Sequence, residues 1–242
     1  MNILIPMAGL GDRFKRAGFL RTKPMIPILD KPMIEWAINS LGVNGNFIFI
    51  LNNKNEEFNE LKNLLNKICK NPKIIDIDYL TEGPASTSLL AKEYINNDDP
   101  LLIINCDQIM TWDSNNFLEF IKKFKDDGFV VTYEIKTIKN SYVKIDEFGY
   151  AIKFAEKEII SDYSLNGIHY WTKGKDFVMS AEKMIKKNIR VNGEFYIAPT
   201  YNELLLENKK IKIYHIDKNK HWSVGTPEDL NIFLEKIKNE NI

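Results

Sequence analysis

Cysteine and histidine are scarce in this chain: two of the first and three of the second among 242 residues. Two thiols, Cys69 and Cys106, are too few for a disulfide framework. The histidines, His169, His215 and His221, show no metal-ligand spacing, and none is assigned a catalytic role. Excess charge of either sign is lacking too. Lysine plus arginine equals aspartate plus glutamate, 33 each. That balance argues against a nucleic-acid polymer as partner, which requires a basic excess or patch; small phosphorylated ligands need only a local cluster of cations. No apolar run is long enough to span a membrane, and no basic segment followed by a long apolar one opens the chain. A reducing cytoplasm is therefore the expected location. Internal repeats, low-complexity tracts and Pro/Ser linkers are also missing, so one domain over residues 1–242 is expected.

What is present is alternation. Apolar runs at residues 3–6, 47–51, 74–79, 101–105 and 129–134 read as strands. Between them the pattern predicts helices over 33–41, 56–69, 86–95 and 115–125. Leu61, Leu64, Leu65 and Ile68 recur at the spacing of one buried helix face, and Asp113-Ser114 reads as a helix start. This order implies an α/β fold with a mostly parallel sheet covered by helices on both faces, and ligands beyond the carboxyl ends of the strands. The second half begins with a hairpin over 142–154 that turns at Asp146-Glu147-Phe148-Gly149. A strand over 164–171, helices over 175–187 and 199–206, a strand over 211–216 and a closing helix over 227–237 follow.

The first strand breaks into Ala8-Gly9-Leu10-Gly11-Asp12-Arg13-Phe14, with Lys23-Pro24 just beyond. Two close glycines let backbone N–H groups approach an oxyanion that a Cβ would hold away. Arg13 and Lys23 supply the positive charge that a polyphosphate needs. Two familiar phosphate loops do not match. The dinucleotide fingerprint wants a small residue where Phe14 stands, and a Walker loop needs Gly-Lys-Ser/Thr.

The string PMAGLGDRF…TKPMIPILDKPMIEW resembles the opening signature of the sugar-phosphate nucleotidyltransferases. The family pattern is Gly-x-Gly-x-Arg, then Pro-Lys, then Lys-Pro-Met-Ile. Thr22 stands for the proline of Pro-Lys, Lys23 holds the lysine position, and Lys31-Pro32-Met33-Ile34 matches. The resemblance runs along nearly the whole chain and implies a Rossmann-like, GT-A-type three-layer α/β/α fold with a mixed, mostly parallel sheet. It also implies an N-terminal half that binds NTP, an acceptor-binding C-terminal half, and dependence on Mg²⁺.

Site residues follow from the same resemblance. Arg13 and Lys23 are the expected catalytic cations, and Ala8, Gly9, Leu10 and Gly11 the phosphate loop. The segment from Thr81 to Thr87 resembles the base-recognition loop, with Gly83 and Ser86 as nucleotide contacts; Ser86 is equally a candidate helix cap. Asp107, in Asn105-Cys106-Asp107-Gln108 after a buried strand, is the expected metal ligand. Glu156, Lys157 and Asn166 resemble acceptor-binding residues, and Gly193-Glu194-Phe195-Tyr196 a further acceptor-side element. The family's late Trp-x-Asp-x-Gly-Thr-Pro is here Trp222-Ser223-Val224-Gly225-Thr226-Pro227, so Ser223 replaces the second metal carboxylate. Asp217 and Glu156 are candidates for that place, and the alternative is Mg²⁺ held by Asp107, phosphates and water. His221, beside Trp222, is a candidate to approach the acceptor.

The expected activity is transfer of a nucleoside monophosphate from an NTP to a phosphorylated small molecule, releasing pyrophosphate. Asn105-Cys106-Asp107-Gln108 and Ser223 resemble capsule-type cytidylyltransferases. That favours CTP as donor and admits sugar phosphates, phosphocholine or phosphoglutamine as acceptor, for surface polysaccharide precursors; a homo-oligomer is compatible. Two rivals stand beside it: a GT-A-type glycosyltransferase using a nucleotide-sugar, and a non-catalytic nucleotide-binding domain. The first typically shows Asp-x-Asp where this chain has Asn105, and neither releases pyrophosphate from an NTP.

Overall fold

The computed structural model describes residues 1–240; the last two residues of the expected 1–242 domain lie outside it. The apolar run at the N-terminus is a strand, β1 (Asn2–Met7). The glycine loop follows, then a short helix α1 (Asp12–Arg16) and a 3-10 turn over Lys23–Met25. A small hairpin of β2 (Pro27–Ile28) and β3 (Lys31–Pro32) leads into α2 (Met33–Leu41). Gly42 ends α2 with a φ of 66°, the left-handed conformation common just past a helix. β4 (Asn46–Asn52), α3 (Phe58–Ile68) and β5 (Lys73–Ile77) continue the alternation.

The helix expected over 86–95 is two short ones, α4 (Pro84–Leu89) and α5 (Lys92–Ile95). Thr87 and Ser88 hydroxyls donate back to the carbonyls of Gly83 and Pro84, at 3.0 and 2.8 Å. The N–H groups of Leu90 and Ala91 then reach only three residues back, to Thr87 and Ser88, and the helix tightens and breaks there. The start is earlier than expected because proline suits the first helical turn.

β6 (Leu101–Ile103), β7 (Gln108–Met110) and α6 (Ser114–Phe124) come next, the last capped by Asp113, which accepts from the N–H of Asn115. The remaining chain forms β8 (Gly128–Glu134), β9 (Ser141–Ile145), β10 (Ala151–Glu156) and β11 (Tyr163–Trp171). It closes with α7 (Gly174–Lys186), α8 (Thr200–Leu206), β12 (Ile211–His215), β13 (His221–Ser223) and α9 (Pro227–Glu240).

Nine strands join in one mixed sheet, ordered β10-β9-β11-β6-β1-β4-β5, with β8 pairing β11 and β12. β6, β1, β4 and β5 run parallel, while β11 is antiparallel to β6, β8 and β9. Period-two alternation sorts each strand between the faces. Leu4, Ile48 and Ile50 meet Ala85, Ile95, Phe177 and Tyr201 on one side. Ile3, Ile5, Phe49 and Leu51 meet Ile38, Leu61, Leu65 and Phe117 on the other. Helices thus cover both faces, the layered α/β arrangement that the alternation predicts.

A third, smaller apolar cluster lies off the sheet. Phe14 of α1, Ile26, Ile28, Met33, Ile109 of β7, Val224, and Leu230, Phe233 and Ile237 of α9 pack together. It ties the start of the chain to α9 and to the two-stranded ribbon of β7 and β13, in which Gln108 pairs with Ser223. No helix among the described residues is long and apolar enough to cross a membrane.

Candidate active site

β1 and β6 are parallel neighbours, so the loops leaving their carboxyl ends emerge on one edge of the sheet. The first is the glycine loop. Ala8, Gly9, Leu10 and Gly11 line a cavity of about 350 Å³ together with Gly83, Pro84 and Thr87. Gly83 has a φ of 127°, and a Cβ there would lie 2.6 Å from the backbone N and O of Phe195. The chain passes so close because Phe195 N–H donates to Glu82 and Ala85 N–H donates to Phe195. Ser86 departs from both of its expected places: Gly83 holds the cap position of α4, and Thr87 rather than Ser86 lines the cavity. The Gly-Pro start moves the helix two residues earlier and leaves Ser86 in its first turn.

The second loop carries Asp107, and here the expected site residues converge. Lys23 reaches across from the 3-10 turn and forms an ion pair with the Asp107 carboxylate. The Lys23 Cβ lies 3.3 Å from where a Gly11 side chain would start, so this lysine abuts the glycine loop. Asp107 is fixed from behind, because Val224 N–H donates to its carbonyl at 2.9 Å. Burial pushes the Asp107 carboxyl up, but the Lys23 ammonium outweighs it and holds the group below the usual carboxylate range. Burial likewise presses Lys23 down, and Asp107 outweighs it in the other direction. Both groups are therefore charged at neutral pH. The neighbouring Cys106 thiol is pushed up to about 11 by burial and is no nucleophile.

Asp107 and Arg13 also line a second cavity, of about 280 Å³, which meets the first at Pro84. Glu156, Lys157 and Asn166 line it as well. Glu156 ends β10 and accepts from the Ser141 hydroxyl; burial raises its pKa against that bond and Lys157. Lys157 takes a left-handed backbone, φ 57°, and its ammonium reaches the Tyr196 hydroxyl. The Asn166 side chain is held by β11 and β7. Its Oδ1 accepts from Ile168 N–H at 3.0 Å, and its Nδ2 lies 3.5 Å from the Met110 sulfur.

Gln108, Tyr133, Lys139 and Asn140 are among the residues of this cavity that received no role from the sequence. The string Asn105-Cys106-Asp107-Gln108 was the available signal for Gln108; the others sit on a strand and a loop with no motif. His221, the candidate to approach the acceptor, lines the cavity, and burial lowers its pKa to about 4.

The structure separates the candidates for the missing second carboxylate. Asp217 lines a different cavity, with Glu134 and His215, whereas Glu156 shares one with Asp107. Ser223 itself stands beside Asp107. A side chain at Gly225 would strike the Asp107 carboxylate and lie 3.7 Å from the Ser223 hydroxyl. Among the described residues no group of three or more His, Cys, Asp or Glu side chains is gathered to hold a metal.

Similarity to known proteins agrees with this layout. The chain is 28% identical over 249 residues to the bifunctional protein GlmU of Methanocaldococcus jannaschii, covering 99% of this chain and 56% of that protein. It is 23% identical over 242 residues to the low-salt glycan biosynthesis nucleotidyltransferase Agl11 of Haloferax volcanii, covering 95% and 64%. The chain thus spans little more than half the length of the relatives it matches. In fold it superposes on the nucleoside-diphosphate-sugar pyrophosphorylase from Vibrio cholerae RC9 with a TM-score of 0.84, at 24% identity, over 96% of this chain and 99% of that one. The inositol-1-phosphate CTP transferase from T. maritima gives a TM-score of 0.76 at 13% identity, over 99% and 96%. The family model of the nucleotidyl transferases matches residues 3–240. With a glycine loop, a paired lysine and a strand-end aspartate gathered on one sheet edge, this chain belongs to the nucleotidyl transferase family.

Proposed function

We propose that this chain transfers a nucleoside monophosphate from an NTP to a phosphorylated small molecule and releases pyrophosphate. The observation that carries the reading is the Lys23–Asp107 pair. Lys23 abuts the loop that lines one cavity, and Asp107 lines the other. A phosphoryl group in transit between nucleotide and acceptor would pass between them.

In the reaction an acceptor phosphate oxygen forms a bond to the α-phosphorus, and the bond to the β-phosphate oxygen breaks. Acceptor phosphates are largely ionised near neutral pH, so no general base is required. The buried histidines suit that economy: burial holds His221 at about 4 and His169 at about 3, both uncharged. Alignment and charge neutralisation then carry the rate. Arg13 and the loop amides would hold the departing pyrophosphate, Lys23 would bridge to the α-phosphate, and Lys157 would meet the acceptor's charge.

One carboxylate with a hydroxyl beside it is no cage for a divalent cation, but it fits Mg²⁺, which keeps waters and takes substrate phosphates as ligands. Asp107 would hold the ion, which when bound offsets charge on the phosphates. CTP is our favoured donor, on the resemblance of Asn105-Cys106-Asp107-Gln108 and Ser223 to capsule-type cytidylyltransferases. The corresponding products would be activated precursors of a surface polysaccharide.

Pyrophosphate release tests the reading. ATP, CTP, GTP and UTP are each offered with Mg²⁺ and a set of sugar phosphates, phosphocholine and phosphoglutamine. Release that needs both substrates, strongest with CTP, is the expected result. Consumption of a nucleotide-sugar without any pyrophosphate from NTPs would instead favour a glycosyltransferase.

A further inference from the structure

We infer that Glu57, just before α3, is a positioning residue for the transfer reaction: its carboxylate clamps Thr22 and so holds the next residue, Lys23, at the cleft. The inference rests on the transferase reading and adds to it a residue that stands apart from those lining the two cavities. Glu57 is itself fixed locally. Its N–H donates to Asn55 Oδ1 at 3.1 Å, and its carbonyl accepts from Leu61 N–H at 2.9 Å. It holds the cap position of α3, yet its side chain does not cap that helix. One carboxylate oxygen instead accepts from both the N–H and the hydroxyl of Thr22, at 2.5 and 2.7 Å, and the other pairs with the Arg21 guanidinium. The Thr22 carbonyl accepts from Met25 N–H at 2.8 Å, closing the 3-10 turn that carries Lys23. Every polar group of Thr22 is therefore engaged, and the chain is pinned one residue before Lys23. Just upstream, Gly18 has a φ of 84° and Leu20 is fully exposed, so the clamp lies where a surface loop becomes a fixed one.

Thr22 stands where the Pro-Lys pattern has proline, and its φ of −67° is the value that a proline ring imposes. A proline has no N–H to give Glu57, and a threonine has no ring to fix φ. Here the carboxylate supplies by hydrogen bonding the restraint that a ring supplies covalently. Arg21 also meets Glu60 at 2.6 Å, but the Glu60 side chain is 59% exposed against 15% for Glu57, and exposed ion pairs contribute little. Displacing a reacting group by about 1 Å can lower a rate roughly 100-fold. Slackening the chain beside Lys23 should therefore be felt in turnover.

The test measures pyrophosphate release with the NTPs and acceptors named above, and amide hydrogen exchange at Met25 and Ile26, whose N–H groups bond to the Thr22 and Lys23 carbonyls. Glu57→Ala should lower kcat roughly 10- to 100-fold, with KM for the NTP within about threefold of wild type. Exchange at both amides should be faster. The same change made in a Thr22→Pro protein should lower kcat less than about threefold, because the ring keeps φ in place. Glu60→Ala leaves Thr22 bonded and should match wild type. Glu57→Gln serves if Glu57→Ala folds poorly: its NH₂ must face either Thr22 or Arg21, so the same losses are expected in smaller measure. Unchanged kcat or unchanged exchange in the Glu57 variants, or an equal loss with threonine and with proline at position 22, overturns the inference and leaves the transferase reading standing. No pyrophosphate from any pair in the wild type removes that reading, and this role of Glu57 with it.

Discussion

At the scale of single residues, Lys23 is where charge, position and chemistry meet. Its ammonium pairs with Asp107, and its Cβ abuts the glycine loop at Gly11. Lys23→Ala is expected to lower turnover by roughly 100- to 1,000-fold, the scale of removing one charge-stabilising group in a transition state. NTP affinity, spread over many loop contacts, should fall less than about tenfold. Steady-state pyrophosphate kinetics and a nucleotide titration check both numbers, and unchanged turnover removes Lys23 from the mechanism. Gly83 is held by backbone rather than by chemistry. Gly83→Ala places a methyl 2.6 Å from two Phe195 backbone atoms at a φ of 127°, so a loss of about 2 kcal/mol in urea unfolding is expected. Arg13, Lys23 and Asp107 were marked by the motifs that carry the family resemblance; the structure places Arg13 in α1, Lys23 in the 3-10 turn beyond it and Asp107 in the loop after β6, with Lys23 and Asp107 paired. Ser86 misled because serine near a helix start reads as a cap, and only the observed turn at Gly83-Pro84 shows otherwise.

Among elements, α9 shows how a motif serves structure and site together. Thr226 accepts from Asp229 N–H at 3.1 Å and donates to the Asp229 carboxylate at 2.8 Å, and both residues line the second cavity. Thr226→Ala should cost about 1 kcal/mol of stability, the usual worth of such a cap. Thermal unfolding would show it as a melting point lower by about 2–4 °C; no shift would mean that water replaces the cap at no cost. Long periodic elements such as α3 and β4 were legible because burial of one face leaves a local imprint. The ribbon of β7 and β13 was not. Its strands are three residues each, joined across more than a hundred residues by Gln108–Ser223 pairing, and no local spacing announces such a partner. The break between α4 and α5 escaped for a related reason, since it arises from hydroxyl-to-backbone bonds rather than from apolar periodicity.

For the molecule as a whole, the buried imidazole of His169 links folding to pH. It lies beside the stacked rings of Trp171 and Tyr201, ring centres 6.1 and 5.8 Å away, and burial lowers its pKa from 6.5 to about 3. Between those values the unfolded chain binds a proton that the folded chain refuses. This contribution to stability is therefore complete above pH 6.5 and shrinks as pH falls toward 3. His169→Phe keeps an aromatic ring and cannot titrate. The pH dependence of its unfolding free energy should be shallower than wild type by about 1.4 kcal/mol per pH unit between about pH 6 and 4. Identical slopes would show that His169 ionises within the native state.

The cluster of Phe14, Ile109, Val224, Leu230 and Phe233 has a mechanical consequence. Phe14 is the covalent neighbour of Arg13, and Val224 the covalent neighbour of Ser223, so both sides of the cleft are bolted to the same greasy knuckle as the terminal helix. Displacing that helix is therefore expected to shift Arg13 and Ser223 together rather than one without the other.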